Sequence, residues 1–208
     1  IKTEHNVGMS TLNKLSARVK QHFIDSISVK ESGSQILPPE VAKAILLIAE
    51  TLRGGGKIMA CGNGGSAADA QHFAAELMGR FERERKELAA IALTTDSSIL
   101  TAIGNDYSYE DVFSKQVRGI GRRDDVLLAI STSGNSKNVL QAIAAAKKIG
   151  IHIIALTGNG GGKIAALLDG RDVHLCAPST RTARIQETHL LLLHSLCDGV
   201  DHVLFDEE

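Results

Sequence analysis

Tryptophan is absent from this 208-residue chain, and Phe and Tyr bring the aromatic share only to 3%. Its core must then rest on Leu, Ile, Val and Ala, and the 43% hydrophobic content is ample for one domain, with two small ones as the outer limit. Cysteine is also scarce: Cys61, Cys176 and Cys197 stand far apart, with no CxxC and no metal-knuckle spacing. That excludes a disulfide framework and reads as reduced, buried thiols in a cytoplasmic protein. No apolar run approaches the ~18–20 residues of a membrane helix, and the N-terminus lacks the apolar stretch of a signal peptide. Neither sign of charge dominates, since 23 Lys and Arg meet 24 Asp and Glu for a formal −1. Bulk attraction to nucleic acid or membranes is therefore missing. Residues 1–8 precede Met9 and read as an expression-tag remnant, leaving 9–208 as a single unit.

What is present is periodicity. Leu12, Leu15, Val19, Phe23 and Ile27 recur at helical spacing within 10–32, and a second helix follows Pro38-Pro39 up to Gly54. This all-helical start (10–53) has no strand partner, and its apolar stripe suits packing against another copy. Beyond it, short apolar runs at 58–61, 88–93, 126–130, 151–156 and 173–176 predict strands. Helical segments at 66–81, 97–103, 109–117, 138–149, 162–168 and 184–204 separate or follow them. Alternation of this kind predicts an α/β fold, a parallel sheet flanked by helices in a Rossmann-like three-layer sandwich with an N-terminal helical extension. Ligands of such sheets sit beyond the carboxyl ends of the strands.

Three loops at those ends share one composition: Gly62-Asn63-Gly64-Gly65-Ser66, Ser131-Thr132-Ser133-Gly134-Asn135-Ser136 and Thr157-Gly158-Asn159-Gly160-Gly161. Each turns a strand into a helix, where free backbone N–H groups and hydroxyls suit a phosphate. The GxxxxGK[ST] pattern is missing and Ala67 falls where GxGxxG needs its last glycine, so nucleoside-triphosphate hydrolysis is disfavoured and a sugar phosphate is favoured. Ordinary strand-to-helix turns are the plain alternative.

His72 and Glu76 share one helix face four residues apart, a metal pair, a base beside substrate, or a solvated surface pair. The last helix offers Gln186, Glu187, His189 and His194; His194 lies in so apolar a stretch that a hydrogen-bonded core histidine is the plain reading. Spacing does not choose its partner, because Glu187 is seven residues away and nearly aligned while Gln186 is eight away and about 80° off. Asn105 and Asp106 read as a helix cap or as partners for sugar hydroxyls. The charged run 80–87 reads as a solvated helix end.

Four stretches in register, CGNGGSAADAQHFAAEL (61–77), LTTDSSILTAIGNDY (93–107), STSGNS (131–136) and RIQETHLLLLH (184–194), resemble the sugar-isomerase (SIS) domain and, within it, the sedoheptulose-7-phosphate (phosphoheptose) isomerases. The resemblance implies an aldose–ketose isomerase converting sedoheptulose 7-phosphate to D-glycero-D-manno-heptose 7-phosphate, the first step toward the ADP-heptose of bacterial lipopolysaccharide. It implies a homotetramer with sites between subunits. Carried over by motif, substrate contacts fall on Asn63, Gly64, Gly65, Glu76, Asn105, Asp106 and Gln186, with the phosphate on Ser131, Thr132, Ser133 and Ser136. Glu76 and His194 match the proton-transfer positions, and His72, Glu76, Gln186 and His194 match a zinc site of one ion per subunit. HFAAELMGRFERER (72–85) and the tail 181–205 are also similar to a DnaA-binding paralogue on the same fold, a tetrameric scaffold that lacks the carboxylate found here at Glu76. A non-catalytic, DnaA-binding regulator of replication initiation is therefore the alternative. A sugar-responsive transcription factor would need a DNA-binding module for which the chain shows no basic helix-turn-helix.

Overall fold

The apolar runs close into one parallel sheet in the computed structural model, which describes the backbone of residues 2–206 and the side chains from residue 10 onward. Its strands are β1 (Ile58–Cys61), β2 (Ala90–Ala92), β3 (Val126–Ser131), β4 (His152–Thr157) and β5 (Val173–Cys176), in the order β2-β1-β3-β4-β5. Every residue of β1 and β3 is buried. A parallel sheet covered on both faces demands this, and it explains why these strands read as continuous apolar runs rather than alternating ones.

Side chains along β3 alternate between two cores. Leu128 and Ile130 join Ile48 of α2 (Pro38–Arg53), Phe73 and Leu77 of α3 (Gly65–Met78), and Leu193 and Leu196 of α8 (Thr182–Phe205). Leu127 and Ala129 face the opposite way, toward Val117 of α5 (Ser114–Ile120) and Val139 and Ile143 of α6 (Lys137–Ile149). The few aromatics are placed economically: Phe73 and Phe113 are both fully buried, one in each core. The three-layer α/β sandwich follows.

Segment ends depart from the sequence pattern for local reasons. The first helix, α1 (Lys2–Ile36), includes the backbone of residues 2–9, which the sequence reading left out of the fold. β2 keeps only three of six expected residues, although Leu88 and Leu93 beside it remain buried. α4 (Ser97–Asp106) runs three residues further than expected. The expected helix 109–117 splits into a 3-10 turn at Tyr109–Asp111, started by Ser108 accepting from the Glu110 N–H, and α5. The expected helix 162–168 is a single turn, α7 (Gly162–Ala165). Nor is the run 80–87 simply solvated, because the Arg85 side chain is 2% exposed and the expected helix 66–81 stops at Met78. Of the thiols, Cys61 and Cys197 are buried and pushed up to about 12 by that burial, whereas Cys176 is half-buried.

α1 packs on the domain mainly through its C-terminal half, where Arg184 donates to the His22 carbonyl at 2.7 Å and Gly33 rests on Leu37 and Pro178. Leu12, Leu15, Val19, Phe23 and Ile27 are each more than half exposed. Among the described residues, no helix is long and apolar enough to cross a membrane.

At the amino ends of β1 and β3 the buried Asp125 carboxylate accepts from the Lys57 N–H at 2.9 Å, the Arg122 N–H at 2.8 Å and Lys57 Nζ at 2.6 Å. Removing it orphans two backbone donors and a cation in one step. Asp125→Ala should therefore lower unfolding free energy by on the order of 3 kcal/mol, read from urea denaturation.

Candidate active site

β1 and β3 are neighbours, yet the helices that follow them leave on opposite faces, α3 to one core and α6 to the other. A crevice opens at such a reversal, and the loops after β1 and β3 form its lips. Two carboxamides join them. Asn63 and Asn138 each donate Nδ2 to the other's Oδ1 at 2.8 Å, and the Tyr109 hydroxyl donates to Asn63 Oδ1 at 3.3 Å. The Asn63 side chain, expected at substrate, is thus committed to Asn138. Asn138 was missed in the sequence; as a buried polar residue one position into α6 its signal is faint.

The second loop carries the anion-binding features. Ser131 Oγ and Ser136 Oγ lie 2.9 Å apart, and Ser136 starts α6 without a side-chain cap bond. α3 likewise starts at Gly64 with no side-chain cap. The Val139 N–H is taken by Asn138 Oδ1 and the Ser66 N–H by the Asn63 carbonyl, both at 3.0 Å, so what each helix start can offer a ligand is the N–H groups ahead of these. Ser133 Oγ is partly engaged, accepting from the Asn135 N–H at 3.2 Å.

The third loop buttresses the second. Gly134 (φ +66°) sits so close that a Cβ on it would lie 2.0 Å from the Gly161 carbonyl oxygen, and one on Gly162 would lie 2.5 Å from that of Ser133. The Ile164 N–H donates to the Gly134 carbonyl and the Lys163 N–H to Asn135 Oδ1, both at 3.0 Å. Its glycines serve close backbone approach.

On α3, His72 Nε2 lies 3.0 Å from Glu76 Oε1 and 3.1 Å from His194 Nε2 of α8. Among the described residues no group of three His, Cys, Asp or Glu side chains is gathered around a shared metal position; Glu76 and His194 meet instead through one atom, His72 Nε2. Gln186 packs on the first loop, where a Cβ on Gly65 would come within 2.3 Å of its Nε2. Glu187 pairs with Arg184 beside α1. Gln186 thus lies against the first loop, whereas Glu187 is turned to Arg184. Asn105 and Asp106 end α4, exposed and bonded to one another at 2.8 Å; they do not cap a helix start, a role taken in α4 by Asp96.

Two further residues were not singled out as site residues. Asp69, three residues before His72 on the same face, has a buried oxygen without a partner, and burial pushes its carboxyl up against the opposing effect of His72. His189, rather than His194, is the core histidine: it is fully buried, donates Nε2–H to the Thr157 carbonyl at 2.8 Å and leaves Nδ1 unpartnered, while His194 is only half-buried.

A family model described as SIS domain matches residues 23–158. The chain is 61% identical over 194 residues to a phosphoheptose isomerase of Dechloromonas aromatica, covering 93% of this chain and 99% of that one. The solved phosphoheptose isomerase GmhA of Neisseria gonorrhoeae superposes with a TM-score of 0.87 at 57% identity, over 90% of this chain and 98% of that one. The phosphoheptose isomerase of Francisella tularensis gives the same TM-score at 43% identity, over 89% and 97%.

Burial depresses the His189 imidazole pKa, with the Thr157 hydrogen bond opposing. The unfolded chain protonates this ring near pH ~6.5 and the folded chain only at lower pH. The stability it contributes is thus complete above about pH 6.5 and is lost as pH falls through and below that value. Urea unfolding across roughly pH 5–8 should show this decline, and His189→Gln, which keeps a donor for Thr157, should flatten part of it, His174 being depressed by burial in the same direction.

Proposed function

This chain belongs to the SIS-domain family and, within it, to the phosphoheptose isomerases, and from that premise we propose that it interconverts sedoheptulose 7-phosphate and D-glycero-D-manno-heptose 7-phosphate with Glu76 as the proton shuttle. The observation that carries this reading is the contact of Glu76, His72 and His194 on two helices that also touch where Gln186 meets Gly65 of the first loop. In this reading the phosphate is anchored at the crevice lips and the carbonyl end of the sugar reaches Glu76.

The phosphate is held by Ser131, Thr132, Ser133, Ser136 and the first N–H groups of α6, with Gly64 and Gly65 lending backbone donors at the start of α3. This is binding by dipoles and hydroxyls rather than by fixed cations. Asn63 acts through its backbone and through the Asn138 bond that holds the lips together. Gln186, Asn105 and Asp106 supply partners for the sugar hydroxyls.

In the ketose-to-aldose direction Glu76 takes a proton from C1, and the electron pair moves into a C1–C2 double bond as O2 gains a proton, giving the enediol(ate). Glu76 then returns its proton to C2 while O1 gives up its own and becomes the aldehyde. His194, with His72 against it, moves the oxygen protons. No net oxidant or proton is consumed.

His72, Glu76, Gln186 and His194 have donor chemistry suited to zinc, two imidazoles, a carboxylate and an amide oxygen. A zinc ion held there would supply polarisation of the carbonyl or simply order the site. We further propose a cytoplasmic enzyme that opens the route to ADP-heptose for lipopolysaccharide and works as a homotetramer. The exposed apolar stripe of α1 supports self-association, since a patch of that kind on a soluble chain marks an interface.

Glu76→Gln should lower kcat for sedoheptulose 7-phosphate by roughly 10²–10⁴-fold with unchanged far-UV circular dichroism; near-normal turnover would remove Glu76 from the role. A folded wild-type protein inactive with and without zinc would point instead to a binding role of the DnaA-associated kind. Replacing Leu15 and Phe23 together with Glu should reduce the sedimenting mass to that of smaller species, and an unchanged mass would place the interface elsewhere.

A further inference from the structure

The carbonyls that end α3 are gathered by one buried cation from outside the helix. α3 has no basic residue in its own last turn. Arg85 reaches back and donates from Nη2 to the Glu76 carbonyl at 2.7 Å, and from Nη1 to the carbonyls of Leu77 and Gly79 at 2.9 Å and of Lys86 at 3.2 Å. Its Nε donates to Asp201 Oδ1 at 2.9 Å, with side chains 2% and 5% exposed. Asp201 stands seven residues after His194 on α8, two turns along and nearly aligned. One guanidinium therefore ties the main chain of Glu76 itself to the helix face that carries His194.

Stability alone does not account for this arrangement. A buried ion pair roughly breaks even against apolar side chains of similar volume, and one Asp201 oxygen stays buried with no partner. What the pair supplies that an apolar contact would not is a fixed register, because a planar fork reaching several carbonyls and a carboxylate sets both the rotation and the depth of one helix against the other. The contact of His72 with His194 fixes the same two helices at a second point.

We propose that Arg85 and Asp201 form a positioning clasp that sets the separation of Glu76 from His194 for proton transfer. The proposal rests on the isomerase reading of the site. Neither residue is assigned contact with the sugar; they act through the two helices.

The test compares wild type, Arg85→Lys and the apolar pair Arg85→Met/Asp201→Leu, with kcat expressed per folded protein at a temperature where circular dichroism shows each to be folded. A displacement of about an ångström at reacting groups costs on the order of 100-fold. The apolar pair gives up the carbonyl bonds as well as the ion pair and should melt at a lower temperature, yet per folded protein it should lose roughly 10- to 100-fold in kcat with KM within about threefold. Arg85→Lys, which keeps the charge but not the fork, should fall between. A crystal structure of the apolar variant should show His72 and His194 parted. Wild-type kcat in either variant, or an unchanged His72–His194 contact, would overturn the clasp. An inactive wild type would sink the isomerase reading instead, leaving the crystallographic separation to judge the clasp.

Discussion

The adjacency of β1 and β3, with their helices departing to opposite faces, is the constraint on which the rest of the molecule depends. A parallel sheet buried on both sides must send each crossover over one face or the other, and only where the choice reverses do two strand ends open onto a common gap. Here that gap receives the start of α3 from one side and the start of α6 from the other. The positive ends of two helix dipoles thus face this gap, and Lys137 at the start of α6 is turned to Glu110 at 2.7 Å.

The same constraint explains the reach of α8. It is the last element to join the core that already contains α3, and it lies along α3, so a histidine from the end of the chain meets a histidine and a carboxylate from the first crossover. Residues more than a hundred positions apart in sequence thus become one contact cluster. The Asn63–Asn138 pair does the corresponding work across the crevice lips.

Much of the fold was legible because burial leaves periodic traces. Fully covered strands wrote apolar runs, amphipathic helices wrote three-and-four spacing, and all five strands were found. What failed to show was anything decided by contact across the sheet. His194 and His189 sit in the same apolar stretch, and only the packing of α8 decides which one is sealed in. The loop after β4 has the glycines and hydroxyls of a phosphate cradle, yet those glycines exist so that its backbone can press on the loop after β3. Arg85 looked like one more charge in a solvated run, because nothing local announces that the end of a helix seven residues earlier lacks a cation. Gln186 could be chosen over Glu187 from family resemblance but not from spacing, since the difference lies in Glu187 turning to Arg184 beside α1.

The pressing of Gly134 against Gly161, and of Gly162 against Ser133, also bears on how such a molecule can change over generations. Neither loop can accept even one methyl group at these points without the other withdrawing, so the two must drift together or not at all. Variation that retunes what the crevice admits is then channelled into the residues flanking the glycines, where a new side chain meets open space instead of a neighbouring peptide.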